Sequence, residues 1–343
     1  MSTHRIEFWR AVALVVVGVL AAAVLLAGNT RERLEGGDAQ ETIFVSVASY
    51  RDDDCSMTLK SMFENATYPN RIFAGVCQQN KAGHAEEECV PPDFPWKANI
   101  RVINMSYADA KGPTFARYQC STLYRGETLY CQIDSHTTFL RGWDVAVFED
   151  LKKCPSPKAV MSYYPHDSKS NAPDVQTVPV LCKSKFTKEN LVTFEAVTMD
   201  AAPPGKMKPI PFLAGGWFVG RGDLVRECPF DPSLDMLFNG EEILYSARLW
   251  TSGWDFFAPP RNYVMHFYTR KGKAKFWDDV RGYQERQKAS QERVVRLLGL
   301  DGLPPAQGYA YGMGTARTVQ QYLEFAGLDP RTKTSSSEKK FCR

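Results

Sequence analysis

The nine cysteines contain no Cys-x-x-Cys pair, which leaves no framework for a zinc cluster or a dithiol redox motif. Strong charge of one sign is also missing: 42 Lys and Arg face 39 Asp and Glu, a formal net charge of +3. No basic stripe with interleaved aromatics occurs, and Lys clusters only at the far C-terminus, so nucleic acid is not an expected partner. Internal repeats are absent, which sets repeat architectures aside. Long hydrophobic runs are scarce as well; the conspicuous one covers residues 11–27 (AVALVVVGVLAAAVLLA). What remains is ordinary globular composition, 44% hydrophobic and 24% charged, enough for one large domain or two modest ones.

With Phe8 and Trp9 ahead of it, the run at 11–27 approaches the roughly 20 residues a helix needs to cross hydrocarbon. Arg5 and Arg10 precede it, while Arg31 and Arg33 follow beside Glu32 and Glu35, a weak bias compatible with a cytosolic N-terminus. The expectation is a cytoplasmic tail (1–10), a transmembrane anchor (11–27) and a polar, Gly-containing stem (28–41). A cleaved signal peptide is the alternative, with small residues available around 21–23 or 26–28. Either route leads the remaining chain into the secretory pathway. There several cysteines are expected to pair, an odd number leaving at least one over. The sequons Asn65-Ala-Thr67 and Asn104-Met-Ser106 become usable in that compartment.

From Ile43 onward, apolar runs alternate with helical spacing. Strands are expected at 43–48, 71–77, 100–105, 129–133 and 159–163, with helices after Tyr50 and over 111–125 and 142–152. Such alternation predicts an α/β fold, a mostly parallel sheet flanked by helices, with ligands at the carboxyl ends of its strands. Residues 164–212, rich in Pro, Lys and Asn, read as loop or an excursion from that sheet. Regular signals return at 212–221, near 240–252, and at 277–298 and 315–326. The domain is expected to span 42–330; the tail 331–343 is poor in apolar residues and reads as disordered.

Two polar sequences fall where a strand-end site belongs: Ser49-Tyr50-Arg51-Asp52 after the first strand, and Asp134-Ser135-His136 after LYCQI. A carboxylate and an imidazole two residues apart can converge on Mn²⁺ or Mg²⁺, although a capping Asp beside a surface His has the same spelling. Downstream lie Gly215-Gly216-Trp217, Glu241-Glu242 opening a helix, His266 and Arg270. Paired glycines let a backbone approach a ligand closely. Glutamates in a first helical turn also simply favour the positive end of the helix dipole.

As an ordered set, ASYRD (48–52), GVCQQN (75–80), KGPTFAR (111–117), QIDSHTTF (132–139), GWD (142–144), FLAGGWFVGR (212–221) and LFNGEEILYSARLWTSGWDFFAPP (237–260) resembles the polypeptide α-N-acetylglucosaminyltransferases. These attach GlcNAc to hydroxyproline or Ser/Thr. The second half is also similar to the mucin-type polypeptide GalNAc-transferases. The resemblance spans about residues 42–275 and implies a GT-A type nucleotide-sugar transferase fold, a UDP-GlcNAc donor, Mn²⁺ (or Mg²⁺), a polypeptide acceptor and retention of anomeric configuration. It assigns metal ligation to Asp134, His136 and His266. Ser49, Tyr50 and Arg51 fall to the nucleotide, Gly112 and Arg117 to the donor, and Gly215, Gly216 and Trp217 to the sugar pocket. Glu241 or Glu242 takes the acidic position near donor and acceptor, with Arg117 or Arg270 assisting the diphosphate. With the anchor, the resemblance implies a single-pass type II Golgi membrane enzyme with a lumenal catalytic domain. Two alternatives stand: the same fold using UDP-GalNAc or another UDP-sugar, and a non-catalytic sugar-nucleotide-binding membrane protein; Trp217 stands where the GalNAc-transferases have a smaller aliphatic residue, which weakens the carry-over of their donor preference. No sugar-binding repeat of the kind that follows many GalNAc-transferase domains is recognisable after residue 280.

Overall fold

Ile43, Phe44, Val45 and Val47 give a strand no face to offer water, so it must be covered on both sides. In the computed structural model, which describes residues 41–169, 177–203 and 206–343, this run is β1 (Ile43–Tyr50). The chain continues through α1 (Cys55–Glu64), β2 (Ile72–Asn80), β3 (Ile100–Ser106), α2 (Pro113–Ser121), β4 (Leu129–Asp134), β5 (Thr137–Phe139) and α3 (Trp143–Leu151). Then come β6 (Ala159–Ser162), β7 (His166–Asp167), β8 (Thr177–Phe186), β9 (Val192–Asp200), β10 (Lys208–Pro209), β11 (Trp217–Arg221), α4 (Leu224–Glu227) and α5 (Glu241–Thr251). The last elements are β12 (Asp255–Ala258), β13 (Val264–His266), α6 (Phe276–Asp279), α7 (Tyr283–Leu298), α8 (Val319–Ala326), β14 (Leu328–Asp329), β15 (Thr334–Ser335) and α9 (Ser337–Phe341). The apolar run 11–27, and the stem through residue 40, lie outside the described residues; among those described, no helix is long and apolar enough to cross a membrane.

Eight strands form the central sheet in the order β10-β12-β6-β11-β4-β1-β2-β3. Alternate residues of β1 serve two cores. Phe44 joins Tyr130, Phe218 and Trp254 beneath α5, α7 and α8; Ile43, Val45 and Val47 join Leu59, Phe63, Trp143 and Trp217 on the other face. The sheet is mixed rather than mostly parallel. β3, β2, β1 and β4 run parallel, as do β6 and β12, but β11 is antiparallel to both β4 and β6, and β10 to β12. A parallel neighbour needs a crossover, usually helical. Between β6 and β11 the described chain forms short strands and the β8–β9 hairpin instead, and β11 returns in the opposite sense. The segment expected to be loop or excursion is therefore an excursion, built as a hairpin.

The tail is a correction. Residues 331–343 are not disordered: β15 pairs with β14, Phe341 and Ser337 are buried, and Cys342 is disulfide-bonded to Cys182 on β8. Ser184 hydrogen-bonds Ser335 (2.8 Å) and Ser337 (2.9 Å), which adds polar ties. Low apolar content is overcome by a covalent bond to the hairpin, and the compact unit runs from Thr42 to Arg343 rather than stopping at 330. A second disulfide, Cys55–Cys89, fastens the start of α1; the cysteines at 77, 120, 131, 154 and 228 are free. Removing the tail's bond by Cys342→Ser should lower the unfolding free energy by about 2–4 kcal/mol in urea melts under non-reducing conditions. An unchanged midpoint would show that the disulfide contributes nothing to stability.

Candidate active site

β1 and β4 are parallel neighbours with Ala48 opposite Asp134, so their carboxyl ends open on the same edge. Asp134 is the last residue of β4, and the chain turns at once into β5. Thr58 of α1 holds that turn: its hydroxyl donates to the Ser135 carbonyl (2.8 Å) and accepts from the Thr137 N–H (2.9 Å). β5 then pairs with β13 in a small sheet, β5-β13-β7, with His266 opposite Thr137. This short ladder carries His266 across 130-odd residues of sequence to the Asp-x-His turn. Potential ligand atoms of Asp134, His136 and His266 all lie within 4.8 Å of one another. His266 Nε2 is 3.0 Å from Asp134 Oδ2, and the two imidazole rings are 4.7 Å apart.

Two further walls close on the same carboxylate. Arg117 of α2 places Nη2 3.1 Å from Asp134 Oδ1 and pairs through Nη1 with Glu241, while the Thr114 hydroxyl donates to Glu241 Oε2 (3.3 Å). α2 starts from Gly112 at φ +87°, where a Cβ would stand 2.9 Å from the Met236 Cα. Gly215 donates its N–H to Glu242 Oε1 (2.7 Å), and its carbonyl accepts from Gln132 Nε2 (2.7 Å). A Cβ on Gly216 would meet Asp134 Oδ2 at 2.9 Å, so only glycine lets this backbone pass so near the carboxylate. Burial pushes the Asp134 carboxyl up, but the His266 hydrogen bond and the charge of Arg117 hold it well below the ordinary range. Burial raises Glu242 against the Gly215 N–H and the Tyr164 hydroxyl (2.6 Å), which pull it down.

These groups face a cleft of ≈ 540 Å³, a size that suits a small-molecule ligand. Tyr50, Gly112, Arg117, Asp134, His136, Gly215, Gly216, Glu241, Glu242, His266 and Arg270 all line it. Three expected residues do not. Trp217 is fully buried on the opposite face of the sheet, stacked on Tyr263 (5.3 Å) and edge-on to Tyr163 (4.8 Å). Successive strand residues point to opposite faces, so with Gly216 against the cleft Trp217 must face away. Ser49 is buried for the same reason of alternation beside cleft-lining Ala48 and Tyr50. Arg51, at φ +45°, turns outward to Glu87 (2.9 Å) and Asp279 (2.8 Å).

Residue-by-residue reading missed other parts. Asp52 stands within the flagged SYRD turn and accepts from Ser135 Oγ (2.5 Å) and His136 Nδ1 (2.8 Å). Burial raises its carboxyl, yet the His136 hydrogen bond, the Arg270 charge and Ser135 bring it down to about 2. Tyr164 and Tyr268 line the cleft, and Phe238, Phe276 and Trp277 form an aromatic lip, with the rings of Phe238 and Trp277 5.4 Å apart. No local pattern marks them, since each reaches the cleft only through tertiary folding. One carboxylate and two imidazoles at this spacing, on a cleft edge opened by glycine, form a mixed oxygen and nitrogen donor set that suits a first-row divalent ion.

Among known proteins, the family model described as Glycosyltransferase (GlcNAc) matches residues 42–94 and 86–332. No curated protein sequence matches the chain. Among solved structures, the chain is similar to GalNAc-T7, crystallised with UDP, GalNAc and Mn²⁺, at 14% identity and a TM-score of 0.55, over 88% of this chain and 57% of that one. It thus spans little more than half the length of that neighbour, and at this identity the likeness is one of fold. S. aureus TarS 1-349 in complex with UDP-GlcNAc follows at 10% identity and a TM-score of 0.48, covering 74% and 70% of the two chains.

Adding a methyl group at Gly216 tests the cradle directly. Gly216→Ala should push Asp134 aside and weaken Mn²⁺ binding by roughly one to two orders of magnitude in an electron paramagnetic resonance titration. Undiminished affinity in a folded Gly216→Ala protein would contradict the arrangement.

Proposed function

Because this chain belongs to the GlcNAc glycosyltransferase family, we propose that it transfers N-acetylglucosamine from UDP-GlcNAc to a polypeptide hydroxyl of Ser, Thr or hydroxyproline, with retention at the anomeric carbon. One observation carries the reading: Asp134 and His136 from the turn after β4, and His266 from β13 far along the chain, meet at the carboxyl edge of the parallel strands on the cleft. Those three residues would hold a divalent cation, which when bound supplies Lewis-acid stabilisation of diphosphate charge.

The remaining roles follow from the charges and hydrogen bonds of the cleft. Transfer leaves negative charge on the departing diphosphate, and Arg117 and Arg270 are cations on the cleft wall suited to receive it. Glu241 is paired with Arg117, which fixes it beside Gly215 as an acceptor for sugar or acceptor hydroxyls. Glu242 spends both carboxylate oxygens on Gly215 N–H and the Tyr164 hydroxyl, so it shapes the Gly215-Gly216 turn rather than meeting substrate. Neither glutamate is left free as a covalent nucleophile. That favours attack from the face the diphosphate leaves, with a phosphate oxygen taking the acceptor's proton. The apolar run at 11–27 supports placement as a type II membrane enzyme of the Golgi with this unit in the lumen.

A second donor, UDP-GalNAc, is the rival; the GalNAc-T7 structure that this fold resembles holds UDP, GalNAc and Mn²⁺. Residues 42–343, given Mn²⁺, Ser/Thr or hydroxyproline peptides and a panel of UDP-sugars, should release UDP and form glycopeptide with UDP-GlcNAc alone. Asp134→Ala should cut that turnover by roughly a hundredfold or more. Glycopeptide formed from UDP-GalNAc instead would replace the donor assignment, and near-normal turnover by Asp134→Ala would overturn the site.

A further inference from the structure

A carboxylate with no exposed surface is costly to bury and persists only where its partners compensate it. Asp52 is such a group, at 0% exposure. Its side-chain contacts are few and specific. Oδ2 accepts from Ser135 Oγ at 2.5 Å and from His136 Nδ1 at 2.8 Å. Oδ1 accepts from the Asp54 N–H at 3.1 Å and lies 3.1 Å from Arg270 Nη2. The Asp54 contact is a local turn into α1 that any Asx residue could make. The others lead to the cleft: His136 is one of the three converging side chains, Ser135 is its buried neighbour in the chain, and Arg270 lines the cleft wall.

An ionised carboxylate only accepts hydrogen bonds, so the imidazole nitrogen facing it must carry the proton. With the proton fixed on Nδ1, the lone pair of the neutral His136 ring is confined to Nε2. We propose that Asp52 is a positioning residue for the divalent cation: it locks His136 in the tautomer that presents Nε2, and the same carboxylate moors Arg270 beside it. The inference rests on the cation-holding role given above to Asp134, His136 and His266. Asp52 touches neither substrate nor cation. It sets the basicity and orientation of a ligand, and holds a cleft cation at a fixed distance from it. Salt-bridge stabilisation of the turn alone would require no particular tautomer of His136.

The test uses the purified chain with ¹⁵N-labelled histidine, as wild type, Asp52→Asn and Asp52→Ala. In the wild type without metal, imidazole nitrogen shifts should report His136 protonated on Nδ1. Asp52→Ala should release the ring into a mixture of tautomers and weaken Mn²⁺ binding, read by electron paramagnetic resonance, by roughly 10–100-fold. Asp52→Asn keeps the size and one acceptor oxygen, so it should fall between the two; it carries the test if the alanine variant does not fold. Asp52 variants that are folded by circular dichroism and keep both the wild-type tautomer and wild-type Mn²⁺ affinity would overturn the proposal. A wild-type chain that binds no Mn²⁺ while still showing the Nδ1 tautomer would sink the metal reading of the site instead. The two failures are thus separable.

Discussion

The carboxylate of Asp134 is the point on which the cleft is built. It ends β4, and three other parts of the chain are shaped to reach it: His266 from β13, Arg117 from α2 and the bare backbone of Gly216 before β11. Even a carboxylate that is only partly withdrawn from water, as Asp134 is, needs charge and hydrogen bonds to replace the lost solvation. His266 and Arg117 supply that replacement, Gly216 leaves the room for it, and each is fixed in turn by its own element. Arg117 also balances Glu241, so the acidic start of α5 is drawn to the same centre. The sheet register that sets Ala48 opposite Asp134 then brings the first-strand turn, and with it Asp52, alongside.

Part of this was legible in the sequence, because it is written in local pattern. Uninterrupted apolar runs marked β1, β2, β4 and β6, helical spacing marked α1, α2, α3 and α5, and the turns after β1 and β4 were visible as the polar ends of buried strands. Strand direction is not a local property. Nothing within Phe218-Val219-Gly220 says that β11 runs against β4 and β6, and a mostly parallel sheet was expected for that reason. The ladder of β5, β13 and β7 is made of strands too short to show a period, yet it alone delivers His266. Trp217 was misplaced by a single step of alternation: the segment was identified, but its phase put the glycine rather than the indole against the cleft.

The tail shows the same limit from another direction. Composition read 331–343 as unable to order itself, and by composition alone that reasoning holds; what it could not include is the bond between Cys342 and Cys182. The consequence reaches the site. β8 carries Cys182, and its hairpin partner β9 contributes Val192, Thr193 and Phe194 to the cleft wall, with Phe194 stacked 4.0 Å from Phe212. The excursion that interrupts the sheet therefore forms one side of the cleft, and the C-terminal segment braces it from behind.

On the proposed reading, Asp134, His136 and His266 together hold the cation that meets a sugar nucleotide. Anomalous diffraction at the manganese edge, from crystals of residues 42–343 grown with Mn²⁺ and UDP, measures this most directly. One strong peak bounded by those three side chains and a UDP phosphate oxygen is the expected result. A manganese peak elsewhere in the cleft, or UDP bound with the three side chains still contacting only one another, would contradict it.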